Sequence, residues 1–142
     1  MTRRGRDPSG RRGATPSAGP GGRWIVALPV WGERCVGVFR RTALPSLLAA
    51  LKELGKPTLL LIWTDSPASI KIELSSLLEG AEYRLLDVPG PDGAFESMSA
   101  CHRQAMEEAG PRDRVLLLTA DMVVSREVLV TCEAQVASGK EV

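Results

Sequence analysis

The chain of 142 residues contains few of the side chains on which common frameworks and active sites are built. Its three cysteines, Cys35, Cys101 and Cys132, lie far apart and include no Cys-x-x-Cys pair. This spacing does not suggest a disulfide framework or a zinc site, and it fits a reducing cytosol, so we predict a cytoplasmic protein. No apolar stretch approaches the ~20 residues that a membrane-spanning helix needs, so we expect no transmembrane segment.

Three common nucleotide-binding or catalytic motifs are also missing. No Gly-x-Gly-x-x-Gly follows a predicted strand, since Gly19, Gly21 and Gly22 precede the first one. There is no P-loop sequence and no Gly-x-Ser-x-Gly elbow, and a Ser-His-Asp triad would depend on the single histidine, His102, inside a predicted helix. The sequence therefore argues against dinucleotide-binding, P-loop and serine-hydrolase chemistry.

Positive charge is concentrated at the start of the chain. Residues 1–23 hold six arginines against one aspartate, a net charge of +5, whereas the remainder holds 12 Lys and Arg against 16 Asp and Glu and is net −4. Residues 1–23 have no large aliphatic side chain after Met1, so we predict a disordered basic tail, either solvated or a weak RNA- or membrane-surface arm. The body shows no sign of a nucleic-acid-binding surface.

Residues 24–142 are predicted to form one α/β domain. Apolar runs at 24–30, 58–64, 83–88 and 114–118 are typical of buried parallel strands. Between and after them, helical patterns cover about 33–54, 67–78, 95–109 and 125–137. A kink or a second helix is expected at Pro45, Gly55 is expected to cap the end of the first stretch, and Ser66 is expected to cap the start of the second. The alternation predicts a mainly parallel, doubly wound sheet of about four strands, with ligands at the carboxyl ends of the strands.

Three polar or proline-containing segments follow the predicted strands at that edge. Residues 29–32 follow strand one, Asp65 ends strand two, and Asp121 lies three residues past Leu118 of strand four. Two carboxylates at neighbouring strand ends could hold a nucleotide, with one contacting the base or ribose and the other a divalent cation on the phosphates. The spacing alone also fits a plain loop residue or helix cap at each position, which is the more common case.

In the order of its short motifs, the sequence resembles the first half of GT-A glycosyltransferases of the family-two kind. The segments concerned are residues 25–32, 44–48, 62–65, 105–110 and 115–125. The resemblance implies that Pro29, Val30 and Trp31 line the nucleotide and that Asp65 contacts its base. It also implies a basic residue near the phosphates, for which Arg103 and the adjacent histidine are the nearest matches.

The strand-end motif departs from that family's Asp-x-Asp, because this chain has Thr119-Ala120-Asp121. The resemblance implies that Asp121 coordinates Mg²⁺ or Mn²⁺ and that Thr119 replaces the acidic residue nearer the ribose, where its hydroxyl can still hydrogen-bond a sugar.

The resemblance implies a nucleotide-sugar-binding domain that acts with an acceptor the sequence does not identify. The family's catalytic base lies after the next strand, so we expect the chain to be truncated and to be weakly active or inactive. One alternative is a non-catalytic α/β interaction module or pseudoenzyme. Another is a nucleotidyltransferase, although the Gly-rich loop with a basic residue directly after strand one is missing. An unpaired sheet edge beside strand four predicts association with a partner.

Overall fold

The fold is an alternation of strands and helices, as the sequence predicts. The computed structural model describes residues 22–65, 67–89 and 94–139. Its elements, in chain order, are β1 (Trp24–Pro29), α1 (Glu33–Val38), a π-helical turn (Phe39–Ala43), α2 (Leu44–Leu54), β2 (Thr58–Thr64), α3 (Pro67–Leu74), β3 (Tyr83–Asp87), α4 (Ala94–Glu108), β4 (Arg114–Leu117) and α5 (Arg126–Ala137). No helix in these ranges is long and apolar enough to cross a membrane.

The four strands form one parallel sheet in the order β3-β2-β1-β4. Trp24 of β1 is in register with Thr58 on one side and with Arg114 on the other. The chain therefore moves outward from β1 to β3 and then crosses to the far side of β1. This reversal makes the gap between β1 and β4 the switch point of the sheet, where ligands bind in doubly wound folds.

Strand β1 is the centre of the core, because it is apolar throughout and helices cover both of its faces. Val26 and Leu28 face a layer that includes α2, α3 and α5, whereas Ile25 and Ala27 face α4. All four side chains are at most 1% exposed. A strand buried on both faces needs a continuous apolar run rather than alternation, and this is the pattern that residues 24–30 show.

The helical stretch from Glu33 to Leu54 is broken where the sequence predicts, with Pro45 in the first turn of α2. In the preceding π turn, the Leu44 N–H donates to Phe39 O, five residues back. The extra residue brings Leu44 onto the same buried face as Phe39, and both are fully buried. The predicted cap at Gly55 is confirmed, since this glycine has φ 70° and its N–H donates to Leu51 O.

Helix α3 is shorter than predicted and ends at Leu74 rather than near Leu78. The Ser75 hydroxyl donates to Ile72 O, so it competes with the helical hydrogen bonds at this point. The serine predicted to cap this helix, at position 66, lies outside the described residues.

The predicted tail lies outside the described residues except at its end, where Arg23 belongs to the folded unit. The Arg23 N–H donates to Asp113 Oδ1 at 3.0 Å, and its guanidinium is within 4 Å of both Asp113 and Glu108. The Gly110 N–H also donates to Asp113, at 2.8 Å. Asp113 thus joins the chain before β1 to the loop before β4.

Strand β4 is an edge strand among the described residues, paired with β1 alone. Its Leu117 side chain is 41% exposed. The predicted association through this edge stays a prediction.

The carboxyl of Asp113 predicts a specific acid sensitivity. Burial alone would raise its pKa, but hydrogen bonds from Gly110 and Arg23 and the Arg23 charge outweigh burial and lower the pKa below 3.8. The stabilisation is therefore complete above about pH 4 and is lost as the pH falls through the lower, folded-state pKa. We expect Asp113→Asn to lower the free energy of unfolding by about 1–2 kcal/mol at neutral pH.

Urea unfolding at several pH values between about 7 and about 3 measures this effect. Asp113→Asn should flatten the loss of stability below about pH 4 relative to the parent. The control is Asp87→Asn, which changes an exposed carboxyl at the end of β3. Parallel curves for the parent and Asp113→Asn would contradict the assigned role of Asp113.

Candidate functional site

A cavity of about 500 Å³ lies at the switch point, where β1 and β4 end. Its lining comes from the last residue of β1 and the loop after it, helix α1, one residue of α4 and the segment after β4. The lining residues are Pro29, Trp31, Arg34, Cys35, Val38, Met98, Thr119, Ala120 and Asp121. The volume is within the range of small-molecule sites, about 300–1,000 Å³.

The turn after β1 forms one wall of this cavity. The Val30 N–H donates to Trp63 O, which keeps residue 30 in line with the sheet and fully buried. Gly32 then has φ 90° and ψ 137°, a backbone conformation that side-chain-bearing residues rarely adopt. Helix α1 begins directly after this turn, and Trp31, Arg34 and Val38 all line the cavity.

The segment after β4 forms the opposite wall. The Leu118 N–H donates to Ala27 O, which continues the pairing with β1 one residue beyond β4. The chain then leaves the sheet, and the Thr119 hydroxyl donates to Asp121 Oδ1 at 2.7 Å. Thr119 is half-buried and Asp121 is exposed, and the second carboxylate oxygen of Asp121 accepts no hydrogen bond within the described residues.

The structure brings together four of the seven residues predicted for the site: Pro29, Trp31, Thr119 and Asp121. The other three lie elsewhere. Val30 points into the core, where it is fully buried. Arg103 is exposed on α4 and does not line the cavity.

Asp65 is at the predicted edge but in a different place from the one expected. We expected Asp65 and Asp121 at neighbouring strand ends, and this is wrong, because β1 lies between β2 and β4. Asp65 Oδ2 accepts a hydrogen bond from the Gly32 N–H at 3.3 Å, and the residue does not line the cavity. In this geometry Asp65 supports the turn that shapes one wall.

Five lining residues were not predicted from the sequence, namely Arg34, Cys35, Val38, Met98 and Ala120. A usable pattern was present, because Trp31, Arg34, Cys35 and Val38 follow the i, i+3, i+4, i+7 spacing of one helix face. A helix that begins directly after the strand carries this face along the cavity.

Two other candidate side chains sit apart from the cavity. Cys101 is buried under the sheet, and loss of hydration raises the pKa of its thiol to about 11, which keeps it neutral and unreactive near pH 7. His102 is half-buried on α4, and its Nε2 has no hydrogen-bond partner in the part of the chain that the structure describes. Neither lines the cavity.

The donors at the cavity fit a divalent cation poorly. Among the described residues, no three His, Cys, Asp or Glu side chains are grouped so as to hold a metal. Asp121 offers one carboxylate, and one of its oxygens already accepts the Thr119 hydroxyl. The Arg34 cation lies on the same cavity. The Mg²⁺ or Mn²⁺ ion predicted at Asp121 stays a prediction of the resemblance.

A second groove, of about 440 Å³, lies beside the amino end of β2 and has a different character. Two cations, Lys52 and Lys56, and two anions, Glu79 and Glu82, line it. Because ligands of doubly wound sheets bind at the carboxyl ends of the strands, this groove is the weaker candidate.

Fold and cavity together define a parallel α/β domain with a small-molecule-sized cavity at its topological switch point. Comparisons of the chain with protein-family profiles, with curated proteins and with solved structures returned no match.

The positive φ of Gly32 predicts a strong effect of a small substitution. Gly32→Ala should lower the free energy of unfolding by about 1–3 kcal/mol, because a residue with a Cβ is strained in this conformation. Urea unfolding followed by tryptophan fluorescence measures it.

Gly37→Ala is the matched control within α1. An added Cβ there would meet the far end of the flexible Arg41 side chain, and alanine favours a helix over glycine by up to about 1 kcal/mol. Gly37→Ala should therefore be neutral or stabilising. Equal stability of Gly32→Ala and the parent would show that the turn does not depend on glycine.

Proposed function

We propose that this chain is a nucleotide-sugar-binding domain of the glycosyltransferase kind. One observation carries the proposal: two segments about 90 residues apart, identified by their resemblance to the same family, line one cavity. Pro29 and Trp31 come from the first segment, and Thr119 and Asp121 come from the second. The two segments follow the carboxyl ends of β1 and β4, which are paired parallel strands, and the resemblance adds that both contact the same ligand.

The side chains of the cavity suit the parts of such a ligand. Trp31 is half-buried, and with Met98 and Val38 it gives the apolar, partly aromatic surface on which a flat nucleobase can lie. Asp121 and the Thr119 oxygen can accept hydrogen bonds from ribose or sugar hydroxyls. The ligand would thus be held by stacking at one end and by hydrogen bonds at the other.

A non-catalytic binding module is the second candidate, and the composition of the lining favours it. Asp121 is the one carboxylate among the described lining residues, and it is exposed and already bonded to Thr119. Sugar transfer needs a base for the acceptor hydroxyl as well as a site for the donor. A domain that binds the donor without transferring its sugar fits this cavity equally well.

Calorimetric titration with UDP and with GDP tests the proposal. We expect one of them to bind, and we expect Asp121→Ala to weaken that binding about tenfold, because a hydrogen bond to a charged group is lost. Asp87→Ala is the control, since it removes an exposed carboxyl at the same edge of the sheet but outside the cavity.

If neither UDP nor GDP gives a measurable heat of binding, the proposed function is wrong. Equal losses in Asp121→Ala and Asp87→Ala would show that binding occurs away from the cavity.

A further inference from the structure

Arg34 is a cation on the cavity whose side chain has no partner among the residues that the structure describes. It is the one Lys or Arg among the described residues that line the cavity. Arg34 is exposed, and within residues 22–65, 67–89 and 94–139 it forms no ion pair or hydrogen bond through its guanidinium. A guanidinium presents several N–H donors in a fixed plane that matches carboxylate and phosphate oxygens.

The neighbouring arginines on the same helical stretch do not line the cavity. Arg40 forms an ion pair with Glu73 at 3.1 Å. Arg41 lies over Gly37, with its guanidinium 3.0 Å from where a Cβ on that glycine would be. Arg34 therefore differs from both in position, and it differs in pairing from Arg40 alone, since Arg41 forms no ion pair within the described residues either. It lies in the first turn of α1, one helical turn before Val38, on the face that lines the cavity.

The charges around the cavity decide how a diphosphate could be neutralised there. A divalent cation would have Asp121 as its one carboxylate ligand and would lie in a cavity that already contains the Arg34 charge. Like charges in one site repel, and the repulsion is stronger in a partly enclosed site than in bulk water. A phosphate group would instead be attracted by the positive charge of Arg34, and no metal ion would be needed to neutralise it.

We infer that Arg34 binds the anionic group of the ligand directly, so that the cavity accepts a phosphate- or diphosphate-bearing compound without a divalent metal. This inference rests on the proposed function for the nucleoside part of the ligand, and on the Arg34 geometry for its charged part. Arg34 thereby takes the phosphate-binding role that the sequence resemblance places at Arg103.

The experiment uses calorimetric titration of the full chain with UDP, GDP, uridine, guanosine and inorganic pyrophosphate. Each ligand is titrated once in EDTA and once with Mn²⁺. Arg34→Gln removes the charge, Arg34→Lys keeps it without the planar fork, and Arg103→Gln removes an exposed charge outside the cavity as the control. Circular dichroism of each variant checks that it is folded.

We expect a nucleoside diphosphate to bind equally well in EDTA and in Mn²⁺. Arg34→Gln should weaken this binding about tenfold or more, and Arg34→Lys should weaken it less, because a charge-assisted bidentate contact is lost or reduced. Arg103→Gln should match the parent. Binding of the uncharged nucleosides should be the same in all variants, since they have no group for Arg34 to pair with.

Failure of the inference and failure of the proposed function give different results. Nucleotide binding that requires Mn²⁺, or that is unchanged in Arg34→Gln, overturns the inference and leaves the proposed function in place. Pyrophosphate binding that depends on Arg34, without binding of either nucleotide, removes the proposed function and supports the inference. Absence of binding by nucleotides and by pyrophosphate overturns both.

Discussion

The central position of β1 is the constraint on which the rest of the structure depends. This strand pairs with β2 on one side and β4 on the other, and its side chains are almost fully buried on both faces of the sheet. Because β1 is both first in sequence and internal in the sheet, the later strands have to lie on opposite sides of it. The chain between β3 and β4 must then cross the sheet, and this crossing creates the gap at the carboxyl ends of β1 and β4.

The two ends of β1 serve different purposes. At its amino end, Arg23 and Asp113 are paired with each other, and the Trp24 indole donates to Glu133 at 2.9 Å. These polar side chains form hydrogen bonds and ion pairs that connect neighbouring elements of the fold. At its carboxyl end the chain turns at Gly32, and Arg34 lines the cavity without a partner within the described residues. The charged groups at the amino edge are therefore paired within the fold, whereas Arg34 at the carboxyl edge has no partner in the described part of the chain.

Local features of the fold could be predicted from sequence, whereas the neighbours of each strand could not. The apolar run at residues 24–30, the proline at position 45 and the glycine at position 55 each act through their own backbone or side chain, and each was placed correctly. The order β3-β2-β1-β4 depends on contacts across the whole chain, so Asp65 and Asp121 were wrongly expected on neighbouring strands. Arg34 was not predicted because it lies on a helix and not at a strand end, and only the position of α1 beside the end of β1 brings it to the cavity.

The central claim is that the ligand lies at the switch point between β1 and β4. The most direct measurement is a nuclear magnetic resonance titration of isotope-labelled protein with UDP or GDP, followed at each assigned backbone amide. The account predicts the largest shifts at Trp31, Arg34, Thr119 and Asp121, which line the cavity from both walls. Shifts confined to residues of the second groove, such as Lys52 and Lys56, would place the ligand at the other edge of the sheet and contradict the claim.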